Sequence, residues 1–261
     1  FFDLALEEFR QARQRMIADF REALGEGRLV LYLQPRVCLA DKVVTGYEAL
    51  IRWNLGADRV RSPGEFLPYL MDSAAEIELG QFVLREGVEA LRTLQARRGP
   101  TVTLSLNLTA KHYLSEHFDE DLAWLAELPP TLRGGLIFEV VENSIFDSLD
   151  KAQAVLERCR ALGIRVALDD FGTGYSSLSY LRSLPCDELK VDQSFVARML
   201  EHEEDWRLVE GMVRLGTSLR KTITIEGVET DAQVQRLESM PGVTVQGFLY
   251  GRPSPLAEII A

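Results

Sequence analysis

Acidic and amide side chains stand at the ends of several strand-like segments of this sequence. Three of these segments, TVTLSLN, TITIE and VTVQ, alternate apolar with small polar residues, and the polar face finishes in a longer oxygen-bearing side chain. The residues at these ends are Glu48, Asn107, Glu139, Asp169, Asp170, Glu226 and Gln246. Carboxylates that lie close together raise one another's pKa values unless cations compensate their charge. If these strand ends meet, we expect them to bind cations.

The types of ligand atom indicate which cations this site would bind. All of the ligands offered are oxygens, and the three histidines of the chain do not stand at strand ends. Such a site suits Mg²⁺ or Mn²⁺ and disfavours zinc. Asp169, with Asp170 beside it, is the natural candidate for a carboxylate shared by two ions. A two-metal centre is the usual arrangement for in-line hydrolysis of a phosphodiester. Lys190 is the one obvious cation among these strand ends.

Two simpler interpretations compete with a metal centre. A single acid at a strand end is more often a helix cap or part of a loop salt bridge, but several strand ends in phase with one face are hard to obtain by accident. A glycosidase also places acids at the mouth of a barrel and needs only one carboxylate pair. It has no use for adjacent aspartates together with Asn107 and Lys190.

The elements that must position these residues alternate regularly. Strands are predicted at 28–37, 42–53, 101–107, 135–140, 164–169, 187–191, 222–226 and 243–246, with helices at 63–73, 75–97, 110–127, 149–162, 193–199, 203–219 and 230–239. This alternation is typical of a parallel α/β barrel, whose active site lies at the carboxyl ends of the strands. The short turn between the first two strands predicts a hairpin. We therefore predict a modified (β/α)8 TIM-like barrel with an antiparallel first strand over residues 27–261, preceded by an N-terminal entry or linker helix over residues 1–26.

Composition and charge exclude some classes of partner. The net charge of −11 argues against binding to a nucleic acid polymer or to an anionic membrane. No apolar run approaches the roughly 18 residues that a transmembrane helix needs, so we expect no membrane contact from this chain. The three widely spaced cysteines predict no disulfide framework and suit a cytoplasmic setting. Because the sequence opens with two phenylalanines and no Met, we expect it to be a piece of a longer protein.

The motifs resemble those of the EAL-domain phosphodiesterases, which hydrolyse the bacterial second messenger cyclic di-GMP. The matching stretches occur in order along nearly the whole chain: LYLQP, YEALIRW, SLNLTA, FEVVENS, DDFGTGYSSL, KVD, EGVET and GFLYGRPSP. Departures follow Trp53, where the chain reads Asn54-Leu55-Gly56, and lie within 70–84. Neither departure removes a residue of the acidic set, so we expect altered loops at 54–60 and 70–78 rather than lost catalysis.

The resemblance implies roles for individual residues. It implies one metal ion bound by Glu48, Asn107, Glu139 and Asp169, and a second bound by Asp169, Asp170 and Glu226. It implies Lys190, Glu226 and Glu229 as catalytic residues, with Lys190 orienting the attacking water. Gln34, Arg52 and Gln246 are implied in substrate binding, Gln34 at a guanine and Arg52 at a phosphate. Glu142 is implied to anchor a mobile loop at 170–177 that contains Gly172 and Gly174.

The resemblance also implies an activity and an assembly. The expected reaction is hydrolysis of cyclic di-GMP to linear pGpG with two Mg²⁺ or Mn²⁺ ions, in a homodimer whose full-length protein carries an upstream sensory or GGDEF-type domain. A receptor domain that binds cyclic di-GMP without cutting it is the second hypothesis. Such domains usually lack part of the acidic set, which is complete here.

Overall fold

The predicted alternation of strands and helices is present in the computed structural model of the chain, which describes residues 2–57, 59–146, 148–174, 178–240 and 242–261. The strands are β1 (Leu29–Cys38), β2 (Val44–Asn54), β3 (Val60–Arg61), β4 (Thr103–Asn107), β5 (Leu136–Val141), β6 (Arg165–Phe171), β7 (Glu188–Val191), β8 (Thr222–Ile225), β9 (Val243–Gln246) and β10 (Ser254–Pro255). The pairing of β1 with both β2 and β9 closes a barrel of eight strands, with β3 and β10 as short additions.

The direction of the strands confirms the predicted fold. β1 runs antiparallel to both of its barrel neighbours, while β2 and β4 to β9 run parallel to one another. Parallel strands bring their carboxyl ends to one rim of a barrel. The residues predicted at the strand ends therefore share that rim.

Helices follow most of the strands. They are α1 (Phe2–Gly25), α2 (Leu67–Leu70), α3 (Ala74–Arg98), α4 (Ala110–Tyr113), α5 (His117–Ala126), α6 (Pro130–Arg133), α7 (Glu142–Phe146), α8 (Leu149–Ala161), α9 (Leu178–Ser183), α10 (Gln193–Arg198), α11 (Glu203–Ser218), α12 (Asp231–Leu237) and α13 (Leu256–Ile260). None of the helices within the described ranges is both long and apolar enough to cross a membrane.

The segment predicted as one helix over 63–73 is divided. A single 3₁₀ turn spans Pro63–Glu65, and α2 covers only Leu67–Leu70. Glu65 accepts hydrogen bonds from the backbone N–H and the hydroxyl of Ser62. These bonds cap the 3₁₀ turn as a unit distinct from α2. Pro68 lacks a backbone N–H and so restarts the chain as a new helix rather than continuing the first.

The helix at the amino terminus packs on the barrel with only part of its length. Phe20 and Ala23 of α1 are fully buried, and the ring of Phe20 meets the buried Trp53 edge to face at 6.3 Å. The residues before Arg13 are exposed wherever their side chains are described. The boundary between an entry helix and a domain at residue 26 stays a prediction.

The barrel interior is polar where the sequence predicts it. Ser105 and Thr224 point inward and are fully buried, while the alternate residues Leu104 and Leu106 of β4 belong to the hydrophobic core outside the barrel. Alternation along a strand places successive side chains on opposite faces. The small polar side chains thus fill the barrel interior, and the longer polar side chains lie at its carboxyl rim.

Candidate active site

Seven elements deliver polar side chains to one rim of the barrel. Glu48 lies in the middle of β2, Asn107 ends β4, Glu139 lies in β5, and Gln246 ends β9. The remaining contributors are Asp169 and Asp170 of β6, Lys190 of β7, and Glu226, which directly follows β8. The predicted strand over 222–226 is one residue shorter, so Glu226 belongs to the loop and not to the ladder.

Lys190 lies at the centre of these acids. Its ammonium group is 2.6 Å from Glu139, 2.8 Å from Glu226 and 3.0 Å from Asp169, and the side chain is fully buried. A carboxylate oxygen of Glu48 lies further away, at 3.8 Å. Burial opposes the charged form, but the surrounding carboxylates outweigh burial and hold the pKa of Lys190 well above its usual range. The buried lysine is therefore a permanent cation.

Glu48 is held between two amides. Asn107 donates to one carboxylate oxygen at 2.8 Å, and Gln246 donates to the other at 2.5 Å. Burial raises the pKa of Glu48, but Lys190 and these two amide donors lower it further than burial raises it, so its pKa lies below the ordinary value. Glu48 is thus an ionised carboxylate in a fixed orientation.

A backbone irregularity explains how two consecutive aspartates contribute to one site. Neighbouring residues of a regular strand point to opposite faces. The pairing of β6 with β7 shifts register between Leu168 and Phe171, and Asp170 has a φ of +54°, in the left-handed region. Irregularities of this kind turn a side chain toward a new direction. As a result, oxygens of Asp169, Asp170 and Glu226 all lie within 4.8 Å of one another.

The cluster contains more negative charge than Lys190 can balance. Burial, together with Asp169 and Glu48, raises the pKa of Glu226 to about 7, despite the opposing effect of Lys190. Burial is also the main reason that the pKa of Glu139 lies well above its ordinary value, and Glu48 and Asp169 raise it further. Burial and Asp169 raise the pKa of Asp170. Without further cations, these carboxyl groups favour protonation.

The chemistry of these donors fits divalent cations that prefer oxygen. One oxygen of Glu139 and one of Asp169 are buried and accept no hydrogen bond. The Asp169 oxygen does lie 3.0 Å from the Lys190 ammonium, so it has an ionic contact but not an aligned hydrogen bond. Buried oxygens without donors, beside carboxyl groups with raised pKa values, are what a hard cation would satisfy.

The residues predicted to bind substrate line a cavity beside the acids. Its volume is about 260 Å³, and Gln34, Arg52, Glu229 and Gln246 all contribute to its wall. Glu48 and Glu226 contribute too, so the cavity opens onto the acidic cluster. Six further residues, to which the sequence assigns no role in binding, line the wall: Leu50, Gln193, Gly227, Gly247, Phe248 and Pro253.

Two of the predicted substrate contacts are themselves positioned by neighbours. Gln34 donates to the carbonyl of Gly251 at 3.1 Å and accepts from Gln246 at 3.1 Å. The guanidinium of Arg52 lies 5.7 Å from the centre of the Tyr32 ring and donates to the carbonyl of Ile51. Arg52 is half-buried and lines the cavity, and it forms no ion pair among the described residues.

The loop after β6 is joined to the barrel through Glu142. The backbone N–H of Gly172 donates to the fully buried Glu142 carboxylate at 3.0 Å. Gly172 has a φ of +99°, and a Cβ at Gly174 would lie 2.7 Å from an oxygen of Glu142. The predicted mobile loop over 170–177 extends to residues 175–177, which lie outside the described residues.

A family model described as the EAL domain matches residues 17–253 of the chain. The chain belongs to the EAL domain family. MucR of Pseudomonas aeruginosa, a bifunctional diguanylate cyclase and cyclic di-GMP phosphodiesterase, is 33% identical over 261 residues, which is 100% of this chain and 38% of that protein. The cyclic di-GMP phosphodiesterase NbdA of the same organism is 33% identical over 245 residues, which is 94% of this chain and 31% of that protein.

A solved structure shares both the fold and the sequence of this EAL domain. The phosphodiesterase of MucR in complex with c-di-GMP superimposes with a TM-score of 0.86 at 33% identity, covering 94% of this chain and 99% of that one. The EAL family is metal-dependent, and the chain has an acidic cluster suited to cations. The chain spans well under half the length of the curated relatives it matches.

Sequence reasoning missed a second buried cation inside this EAL domain. Arg36 of β1 forms an ion pair with Glu188 and donates to Ser105 at 2.6 Å and to Thr224 at 2.9 Å, all within the barrel. Arg36 is in phase with Gln34 on the predicted strand, and this phase is the signal that could have revealed it. It supplies positive charge beneath the acids and lowers the pKa of Glu48.

Proposed function

We propose that this chain is a metal-dependent cyclic di-GMP phosphodiesterase that produces linear pGpG. The observation that carries the proposal is the convergence of Glu48, Glu139, Asp169 and Glu226 on the ammonium of Lys190. Membership of the EAL family and the similarity to a phosphodiesterase in complex with c-di-GMP supply the substrate class.

Two groups of ligands would hold two ions, Mg²⁺ or Mn²⁺. One group is Glu48, Asn107, Glu139 and Asp169, and the other is Asp169, Asp170 and Glu226. When bound, such ions supply the Lewis acidity that activates water and stabilises charge on a phosphodiester. Support comes from the unsatisfied buried oxygens of Glu139 and Asp169 and from the raised pKa of Glu226.

The protein's own residues would position the reactants. Lys190 donates to Glu139 and would orient the attacking water. Arg52 carries guanidinium donors at the cavity wall, which suit a phosphate oxygen. Gln34 and Gln246 present amide groups suited to the polar edge of a guanine, and Glu229 lines the same cavity. Water attacks phosphorus, the bond from phosphorus to the ribose 3′ oxygen breaks, and that oxygen takes a proton.

The assembly and the remainder of the protein complete the proposal. We infer a homodimer, with the loop over 170–177 near the interface and anchored by Glu142. We also infer an upstream sensory or GGDEF-type domain, in keeping with the small share of MucR and NbdA that the chain covers. Light scattering of the purified chain tests the dimer, and a monomer at micromolar concentration contradicts it.

Hydrolysis and binding must be measured together to separate an enzyme from a receptor. The chain is incubated with cyclic di-GMP and Mg²⁺ or Mn²⁺, with EDTA as the control, and pGpG is quantified by chromatography. We expect pGpG only with the metal ions, and no turnover in Glu48→Gln. Binding of cyclic di-GMP without product in the parental protein would establish the receptor, while turnover that survives EDTA would favour a metal-independent hydrolase.

A further inference from the structure

The amino-terminal half of α1 contacts the barrel domain outside the region of family similarity. The family match begins at residue 17, whereas α1 begins at Phe2. Before residue 17, the ring of Phe9 stacks on Tyr69 with 5.8 Å between ring centres. Arg13 donates from Nε to the carbonyl of Tyr69 at 3.1 Å and from its terminal nitrogen to the carbonyl of Met71.

These bonds support the end of α2. The last carbonyls of a helix lack partners within the helix and need donors from elsewhere. Arg13 supplies donors to one such carbonyl, that of Tyr69, and to the carbonyl of Met71, which directly follows the helix. It therefore ties α1 to the short connection between α2 and α3.

The connection itself is a strained turn held by several contacts. Asp72 has a φ of +60°, a region that residues other than glycine rarely adopt and keep only where surrounding contacts fix them. Its N–H donates to the buried Glu76 at 2.7 Å, and the hydroxyl of Ser73 donates to the carbonyl of Leu70 at 2.5 Å. Arg13 reaches this turn from a different part of the chain.

This turn forms one wall of a second cavity beside the acids. The cavity holds about 680 Å³ and is mostly apolar, and Leu67, Met71 and Asp72 are among the residues that line it. Glu48 and Asn107 also line it, and their hydrogen bond belongs to the acidic cluster. The cavity therefore adjoins the acidic cluster.

We propose that Arg13 is a positioning residue that fixes the turn between α2 and α3, and through it the wall of the cavity that receives part of the substrate. The proposal rests on the proposed function for the identity of that substrate. It gives the exposed half of α1 a mechanical connection to the site. Loss of the Arg13 contacts would release the carbonyls of Tyr69 and Met71, and Arg13 forms no ion pair with an acid of the cluster among the described residues.

The test compares Arg13→Ala with Arg13→Lys and with the control Arg15→Ala. Arg15 is exposed on the same helix, and its side chain makes no hydrogen bond or ion pair within the described part of the chain. The measurements are KM and kcat for cyclic di-GMP with Mg²⁺, and backbone hydrogen exchange over residues 67–76. Exchange reports on the turn whether or not the protein is active.

We expect Arg13→Ala to raise KM about threefold to tenfold, the loss associated with one or two hydrogen bonds, with kcat within about twofold. Exchange over 67–76 should quicken in Arg13→Ala, recover in part in Arg13→Lys, and stay parental in Arg15→Ala. A lowered melting temperature with unchanged KM would indicate a merely structural residue and overturn the inference, as would equal exchange in all variants. A parental protein without hydrolysis would instead overturn the proposed function.

Discussion

At the scale of single residues, Lys190 determines whether the acids of the site can lie together. Its ammonium touches Glu139, Asp169 and Glu226 in a fully buried position. Removing one partner of a buried ionic group leaves the others uncompensated, and this is more damaging than the pair itself is stabilising. The lysine and the divalent cations should therefore support the same carboxylates independently.

We predict that Lys190→Met lowers the free energy of unfolding by about 3–5 kcal/mol in EDTA. Mg²⁺ should restore part of that loss, because it neutralises the same acids, while hydrolysis stays reduced by about a hundredfold or more. Urea unfolding with and without Mg²⁺ measures the first effect. The control is Lys221→Met. In the parental protein the Lys221 ammonium donates to the carbonyl of Cys186 at 2.8 Å, outside the site, so the control variant should hydrolyse at the parental rate. Equal stability of Lys190→Met and the parent in EDTA would contradict this account.

The pKa of Glu226 predicts how stability depends on pH. Because its pKa is raised from 4.5 to about 7, the folded protein holds a proton between these pH values that the unfolded chain has released. The metal-free protein should therefore lose stability as pH rises from about 4.5 to 7. Urea unfolding in EDTA at several pH values should show a smaller change in Glu226→Gln. Mg²⁺ should stabilise the parent more above pH 7 than below it, and the opposite trend would refute the assignment.

At the scale of elements, two neighbouring backbones meet at the end of β9. A Cβ on Gly247 would lie 2.0 Å from the carbonyl oxygen and 2.4 Å from the nitrogen of Val228. Val228 itself donates to the carbonyl of Gln246 and accepts from Leu249. The close approach joins the loop that carries Glu226 and Glu229 to the strand that carries Gln246.

The substitution Gly247→Ala should therefore push the loop after β8 away from the end of β9. We expect a loss of about 1–3 kcal/mol of stability from overpacking against backbone that cannot rotate away, together with weaker hydrolysis. The matched control is Gly211→Ala in α11, where a Cβ meets nothing within 4 Å, and it should gain about 0.5–1 kcal/mol. Urea unfolding measures the free energy of unfolding of both variants. A Gly247→Ala variant as stable as the parent would show that the two backbones are not in tight contact.

The strand ends could be predicted from the sequence, while the connections could not. The alternation of Thr103, Ser105 and Asn107 with leucines fixes which face points inward, and the barrel then brings the ends together. The turn at Asp72 depends on Arg13, some 60 residues earlier, so local sequence cannot reveal it. The irregularity in β6 that redirects Asp170 likewise depends on pairing with β7.

At the scale of the whole molecule, the acidic cluster and the amino-terminal helix α1 lie in different parts of the fold. The acids lie at the carboxyl rim, and Arg13 of α1 contacts the end of α2 and the turn at Asp72, which lines a cavity beside them. A displacement of α1 can therefore alter a substrate cavity and leave the ligand set for the cations intact. In a longer protein, we expect control at this helix to change substrate affinity more than the rate of the chemical step.

The most direct test of the central claim is the fate of the oxygen atom supplied by water. Cyclic di-GMP is hydrolysed by the chain in H₂¹⁸O with Mg²⁺, and the linear product is analysed by mass spectrometry after fragmentation. Metal-assisted attack of water on phosphorus predicts pGpG with one ¹⁸O atom in its terminal phosphate and no product in EDTA. Label in a ribose hydroxyl, or equal turnover with EDTA, would contradict the account.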